Sequence, residues 1–124
     1  MKQTVVTNKA PKAIGPYSQG VKIANLVFAS GQLPINPETG KMAEGIEAQA
    51  HQSLKNLCAI LEEAGSDISK VVKTTIFLKD LNDFQTVNSV YANFFPGDFP
   101  ARSTVQVARL PLDAGVEIEA IATL

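Results

Sequence analysis

Arginine is scarce in this chain: Arg102 and Arg109 are its only two among eleven basic residues. Both lie in FPARSTVQVAR, residues 99–109, and Arg102 opens a stretch that alternates like a strand. A guanidinium offers a planar fork of donors that suits a carboxylate, and such a charge-assisted contact is worth about 1.5–3 kcal/mol net. Two readings are open. Arg102 pairs with Asp98 or a surface glutamate, or it is kept for the carboxylate of a small ligand. The second gains from polar neighbours at Ser103 and Thr104 and, if folding brings them close, at Ser30, Gly31 and Glu117. Glu117 and Glu119 share one side of another alternating run. They are either solvent-facing, or Glu117 is partly buried at a subunit seam and orients a water. Burial would raise its pKa, and a nearby Arg102 would lower it.

Other groups carry weaker signals. AIGPYSQG, residues 13–20, reads as an irregular loop whose Tyr17 could close over a ligand. Asn88 lies near the edge of a helical apolar stripe, close to the angle of Tyr91. His51 is the sole histidine and is expected at the surface or in the core, Cys58 is the sole cysteine, and no Ser-His-Asp triad, Cys-His pair or structural zinc site is expected. Cys58, between Leu57 and Ala59, is expected in the core. The phosphate-loop pattern is absent. A net charge of −1 with no basic stripe gives nucleic acid no footprint. No apolar run approaches the length of a membrane span. The expectation is a soluble cytoplasmic protein that needs no disulfide.

The elements that must position these residues follow from periodicity. At 124 residues the chain is expected to be one domain, 1–124. Val21–Leu33 reads as two short strands around a turn at Ala24-Asn25. Gly45–Gly65 reads as a helix with Ile46, Ala50, Leu54, Leu57, Leu61 and Ala64 on one stripe and Gly65 just past its end. Val71–Lys79 is rich in β-branched residues, hence a strand. Asp83–Phe95 is a second helix, with Phe84, Val87, Val90, Tyr91 and Phe94 on one side, ended by Pro96-Gly97. Arg102–Ala108 and Val116–Thr123 are further strands, and the strand pair flanking the second helix reads as a parallel βαβ unit. The class is α+β: one mixed sheet of about six strands with two helices on one face.

The faces of that sheet can be counted. If Ser103, Val105 and Val107 meet the helices, then Arg102, Thr104 and Gln106 lie on the uncovered side with Glu117 and Glu119. A mixed uncovered face of that kind suggests contact with another copy of the chain. Closing Ala108–Val116 as a simple hairpin would leave Arg102 and Glu117 roughly 15 Å apart along the strands. They could then share a site only through a different pairing, through long side chains, or across two subunits.

Five segments taken together, AIGPYSQG, VFASGQLPINPETGKM, TTIFLKDLNDFQTVNSVYANFF, FPARSTVQVARLP and VEIEAIA, resemble the Rid (YjgF) family of enamine/imine deaminases. The match runs from about residue 10 to residue 123 and is closest to the RidA-like subgroup. The resemblance implies a chorismate-mutase-like fold and a homotrimer with ligand sites in the clefts between subunits. It implies hydrolysis of 2-aminoacrylate and related 2-imino acids, released by pyridoxal-phosphate enzymes, to 2-oxo acids and ammonia. This is the activity of a 2-iminobutanoate/2-iminopropanoate deaminase, with no cofactor and no metal. By position, Arg102 would bind the substrate carboxylate and Glu117 would orient the water. Ser30 and Gly31 would line the pocket, and Tyr17 and Asn88 would come from its wall. Thr104 stands where many members carry cysteine, so any role of that sulfur does not transfer; Gly20 replaces a frequent alanine. An alternative function for the same cleft is a non-catalytic sensor of 2-oxo acids or similar small carboxylates. A nuclease or translation-linked role, ascribed to some relatives, is disfavoured by the charge balance.

Overall fold

The structure is a computed structural model that describes residues 1–124. Its strands are β1 (Gln3–Val5), β2 (Gly20–Ile23), β3 (Leu26–Gln32), β4 (Val71–Leu78), β5 (Ala101–Gln106) and β6 (Val116–Thr123). Its helices are α1 (Ile46–Glu63) and α2 (Phe84–Phe94). The strands form one sheet in the order β1-β2-β3-β6-β4-β5, antiparallel throughout except for the parallel pair β4–β5. The α+β class with two helices on one face is as expected. β1 carries no sequence signal: three residues are too few to show alternation, and the strand exists through its pairing with β2.

The apolar stripe of α1 buries Leu54, Leu57, Ile60 and Leu61 completely. They pack over β3 and β6, where Val27, Ala29, Val116, Ile118, Ala120 and Ala122 are buried in turn. Gly65 sits at φ 90° and ends the helix, with its N–H donating to Glu62 O and that of Ser66 to Leu61 O. Cys58 is half-buried rather than in the core, and burial pushes its thiol up to about 11.

The connection from β5 to β6 is not a hairpin. The βαβ crossover seats β5 beside β4, and β6 takes the other side of β4 and closes onto β3. The C-terminal strand is therefore central and β5 is an edge. Register fixes the faces. Arg102 pairs with Thr74, Thr104 with Ile76, and Gln106 with Leu78; all three β4 residues are buried under the helices. Arg102 and Thr104 therefore face α2, the reverse of the sequence expectation. That expectation assigned faces by apolarity, but an edge strand can turn Val105 outward, where it is 44% exposed. The open face carries Glu117, Phe77 and Val105 in one row, and Glu119, Thr75 and Ser103 in the next.

Candidate active site

Arg102 is half-buried against α2. Its guanidinium carbon lies 5.0 Å from the centre of the Tyr91 ring and 5.5 Å from that of Phe84. It makes no ion pair; the fold's single one joins Lys79 to Asp113. The alternative of a surface partner at Asp98 or a glutamate is thus not realised in the chain. Arg102 instead lines an open cup of about 320 Å³ with Asn88, Tyr91, Ala92, Phe99 and Pro100. The cup is apolar apart from the guanidinium and the Asn88 amide. Thr104, two residues along the same face, has a buried hydroxyl with no hydrogen-bond partner. A buried free hydroxyl costs on the order of 1–3 kcal/mol; this one is closed off within the chain and does not line the cup.

Glu117 lies on the other face of the sheet. Thr74 pairs with both Arg102 and Ala120, so Glu117 sits two strands over and three residues along from Arg102, pointing the opposite way. Long side chains cannot bridge that separation through a packed sheet. Of the routes to a shared site left open by sequence, the altered pairing and the long reach both fail within one protomer. The Glu117 carboxyl is half-buried, and burial, then the nearby Glu119 charge, holds its pKa above the usual carboxylate range. It packs over Gly31, where any Cβ would collide with the carboxylate. Gly31 occupies a bulge, since the β3–β6 register shifts between Ala29 and Gln32. Glycine here makes room for the acid and brings it down against the backbone.

Ser30 does not present a free O–H donor. Its Oγ donates to Ser18 O at 2.6 Å, and its backbone N–H donates to Gln19 O at 2.9 Å. Both bonds tie β3 to the loop that carries Tyr17, whose side chain is exposed. Gln19 is the hub of that loop and was not singled out by sequence. It is buried; its Oε1 accepts from the Thr7 N–H at 2.7 Å, and its amide donates to the carbonyls of Thr7, Ala10 and Pro11. The signal was available: a glutamine inside a glycine- and proline-rich loop is a natural satisfier of loop backbone groups. Gln19, Ser30, Gly31 and Glu117 thus belong to one side of the sheet and its flanking loop. Arg102, Asn88 and Thr104 belong to the other. His51 is exposed and packs against Phe94 with ring centres 5.3 Å apart and tilted, away from both groups. No three His, Cys, Asp or Glu side chains come together as a set of metal ligands.

Comparison with known proteins places the chain in a family. Residues 7–124 match the family model described as Endoribonuclease L-PSP. The chain is 56% identical over 125 residues to the 2-iminobutanoate/2-iminopropanoate deaminase of Salmonella typhimurium, covering 98% of each. It is 60% identical to Reactive Intermediate Deaminase A, chloroplastic, of Arabidopsis thaliana, covering 99% of this chain and 66% of that one. Among solved structures it superposes on the YjgF gene product of E. coli with a TM-score of 0.95 at 54% identity, covering 98% of both chains. It superposes on E. coli TdcF with bound serine with a TM-score of 0.96 at 47% identity, again covering 98% of both. A family model spanning all but the first six residues, together with relatives more than half identical from end to end, shows that the chain belongs to the Rid (YjgF) family.

Proposed function

We propose that the protein is a 2-imino acid deaminase that works as a homotrimer in the cytoplasm, with each site built across a seam between protomers. The observation that carries the reading is an arginine with no acidic partner on one sheet face and a half-buried glutamate on the other. Arg102 stands on the edge strand, where the open face of a neighbour, bearing Glu117 and Gly31, can approach it. Tyr17 and Asn88 would wall such a cleft, and Ser30 would fix the Tyr17 loop. The names of the Salmonella and Arabidopsis relatives support the chemistry.

In the reaction Arg102 binds the substrate carboxylate through its in-plane N–H groups, which fixes the imine carbon. Glu117 accepts a hydrogen bond from a water and takes its proton as the oxygen adds to that carbon. The C=N π pair of the protonated imine moves onto nitrogen and leaves a carbinolamine. Glu117 returns the proton to the amine; as the C–N bond breaks, the carbinolamine oxygen closes to C=O and gives its proton to Glu117, which passes it to the leaving ammonia, and the 2-oxo acid and ammonium depart. A carboxyl held above its usual pKa range is a better base for this cycle than a fully solvated one. Thr104 shares the Arg102 face, and its hydroxyl, closed off in the single chain, would meet substrate only on a local opening of the site.

The second reading, a sensor of small carboxylates, is favoured by the relative whose structure holds serine. It leaves the half-buried Glu117 without a task, because an anion binder gains nothing from a second negative group. The nuclease description attached to the family model finds no support in a chain with two arginines and a net charge of −1.

A coupled assay tests the proposal. Threonine dehydratase generates the imine, and semicarbazide traps what remains. The protein should accelerate imine loss, and Arg102→Ala should reduce that effect about 10- to 100-fold in kcat/KM. No acceleration by the wild-type protein overturns the deaminase reading.

A further inference from the structure

We propose that Phe84 and Tyr91 are positioning residues that aim the Arg102 guanidinium by its faces and leave its N–H edge free for a carboxylate. The inference rests on the reading of Arg102 as a carboxylate clamp and explains how an uncompensated charge is kept in place. A half-buried arginine usually gains an acid, but an acid would occupy the same in-plane donors that a substrate needs. An aromatic ring attracts the cation through its π-face and makes no claim on those donors. Both ring centres lie within the range of about 6 Å over which this attraction acts.

The rings are themselves fixed. Phe84 and Tyr91 are seven residues apart on α2 and so share one side of the helix. The Tyr91 hydroxyl is hydrogen-bonded to Thr74 Oγ1 at 2.6 Å, and both groups are buried. Thr74 is also the β4 residue that pairs with Arg102, so one strand position registers both the ring and the strand residue that carries the guanidinium. Phe95 packs against Tyr91 with ring centres 4.6 Å apart. Within the chain, then, the charge is held by two rings and no carboxylate.

This arrangement acts on binding, because the substrate carboxylate is held alike before and during reaction. Steady-state kinetics on imine generated in situ test it. Phe84→Leu and Tyr91→Leu should each raise KM about three- to ten-fold with kcat within about two-fold. Tyr91→Phe keeps the ring and loses the Thr74 bond, so it should lower Tm while leaving KM near wild type. In an Arg102→Ala background, Phe84→Leu should add nothing further to KM. An unchanged KM in both leucine variants, or the same KM increase for Phe84→Leu with and without Arg102, overturns the proposal. Should Tyr91→Leu fail to fold, the half-buried Phe84 decides alone. If Arg102→Ala leaves KM unchanged, the clamp reading itself fails and the cradle falls with it; if only the ring variants are silent, the clamp stands without it.

Discussion

At the scale of single residues, the most informative feature is how differently the two charged site groups are kept. Arg102 has its charge held by rings, and Glu117 has its charge opposed by burial and by Glu119. A bound carboxylate cancels the arginine's pull on the acid, so desolvation governs Glu117 in the substrate complex. The acid limb of kcat should then lie above the ordinary carboxylate range, and a pH profile of kcat measures it. Glu117→Gln should remove that limb along with most of kcat. The sign for stability runs the other way. An acid whose pKa is raised by folding favours the folded chain at low pH, and that contribution is lost as pH rises through the folded value. At neutral pH, Glu117→Gln should therefore have a Tm no lower than wild type. Gly31→Ala tests the close approach from the other partner. The added methyl meets the end of a flexible side chain, so the fold should survive while Glu117 swings away and kcat falls about ten-fold or more. Circular dichroism and the coupled assay together read both effects.

At the scale of elements, loops and strands divide the work of placement. β5 sets Arg102 by register with Thr74, and the bulge in β3 sets Gly31 under Glu117. The loop from Thr7 to Gln19 is held by one buried amide. Gln19→Ala strips partners from the Thr7 N–H and from three carbonyls, and each buried group left unmatched costs about 1–3 kcal/mol. Thermal unfolding should show a Tm lower by several degrees, and the freed Tyr17 loop should raise KM. Sequence periodicity located α1, α2 and β6 almost to the residue, because long stripes and β-branched runs speak for themselves. It missed β1, and it turned β5 over. Ser103, Val105 and Val107 look like a core face, but which side of an edge strand meets a helix is decided by register with its neighbour, which a single strand does not encode. The Ser30 hydroxyl donates to Ser18 O, a long-range bond invisible in the sequence, and keeps its lone pairs for a ligand.

At the scale of the whole molecule, the sheet divides the proposed site between its two faces, and no rearrangement of side chains in one protomer joins them. The uncovered face, with Phe28 41% and Val105 44% exposed, fits the burial that a second copy would supply. The family resemblance was legible in five short segments, and it carried the candidate residues. The pairing that sends Arg102 and Glu117 to opposite faces was not legible, because it depends on the last strand returning to the middle of the sheet. Mixing two crippled variants tests the seam most directly. Arg102→Ala and Glu117→Gln, each about ten-fold or more below wild type alone at sub-saturating imine, are unfolded together in equal amounts and refolded. If each site takes its arginine from one protomer and its glutamate from another, random assembly restores about a quarter of the wild-type sites. Activity recovering to about that level is the predicted result. A mixture no more active than its two components would contradict a site shared between protomers.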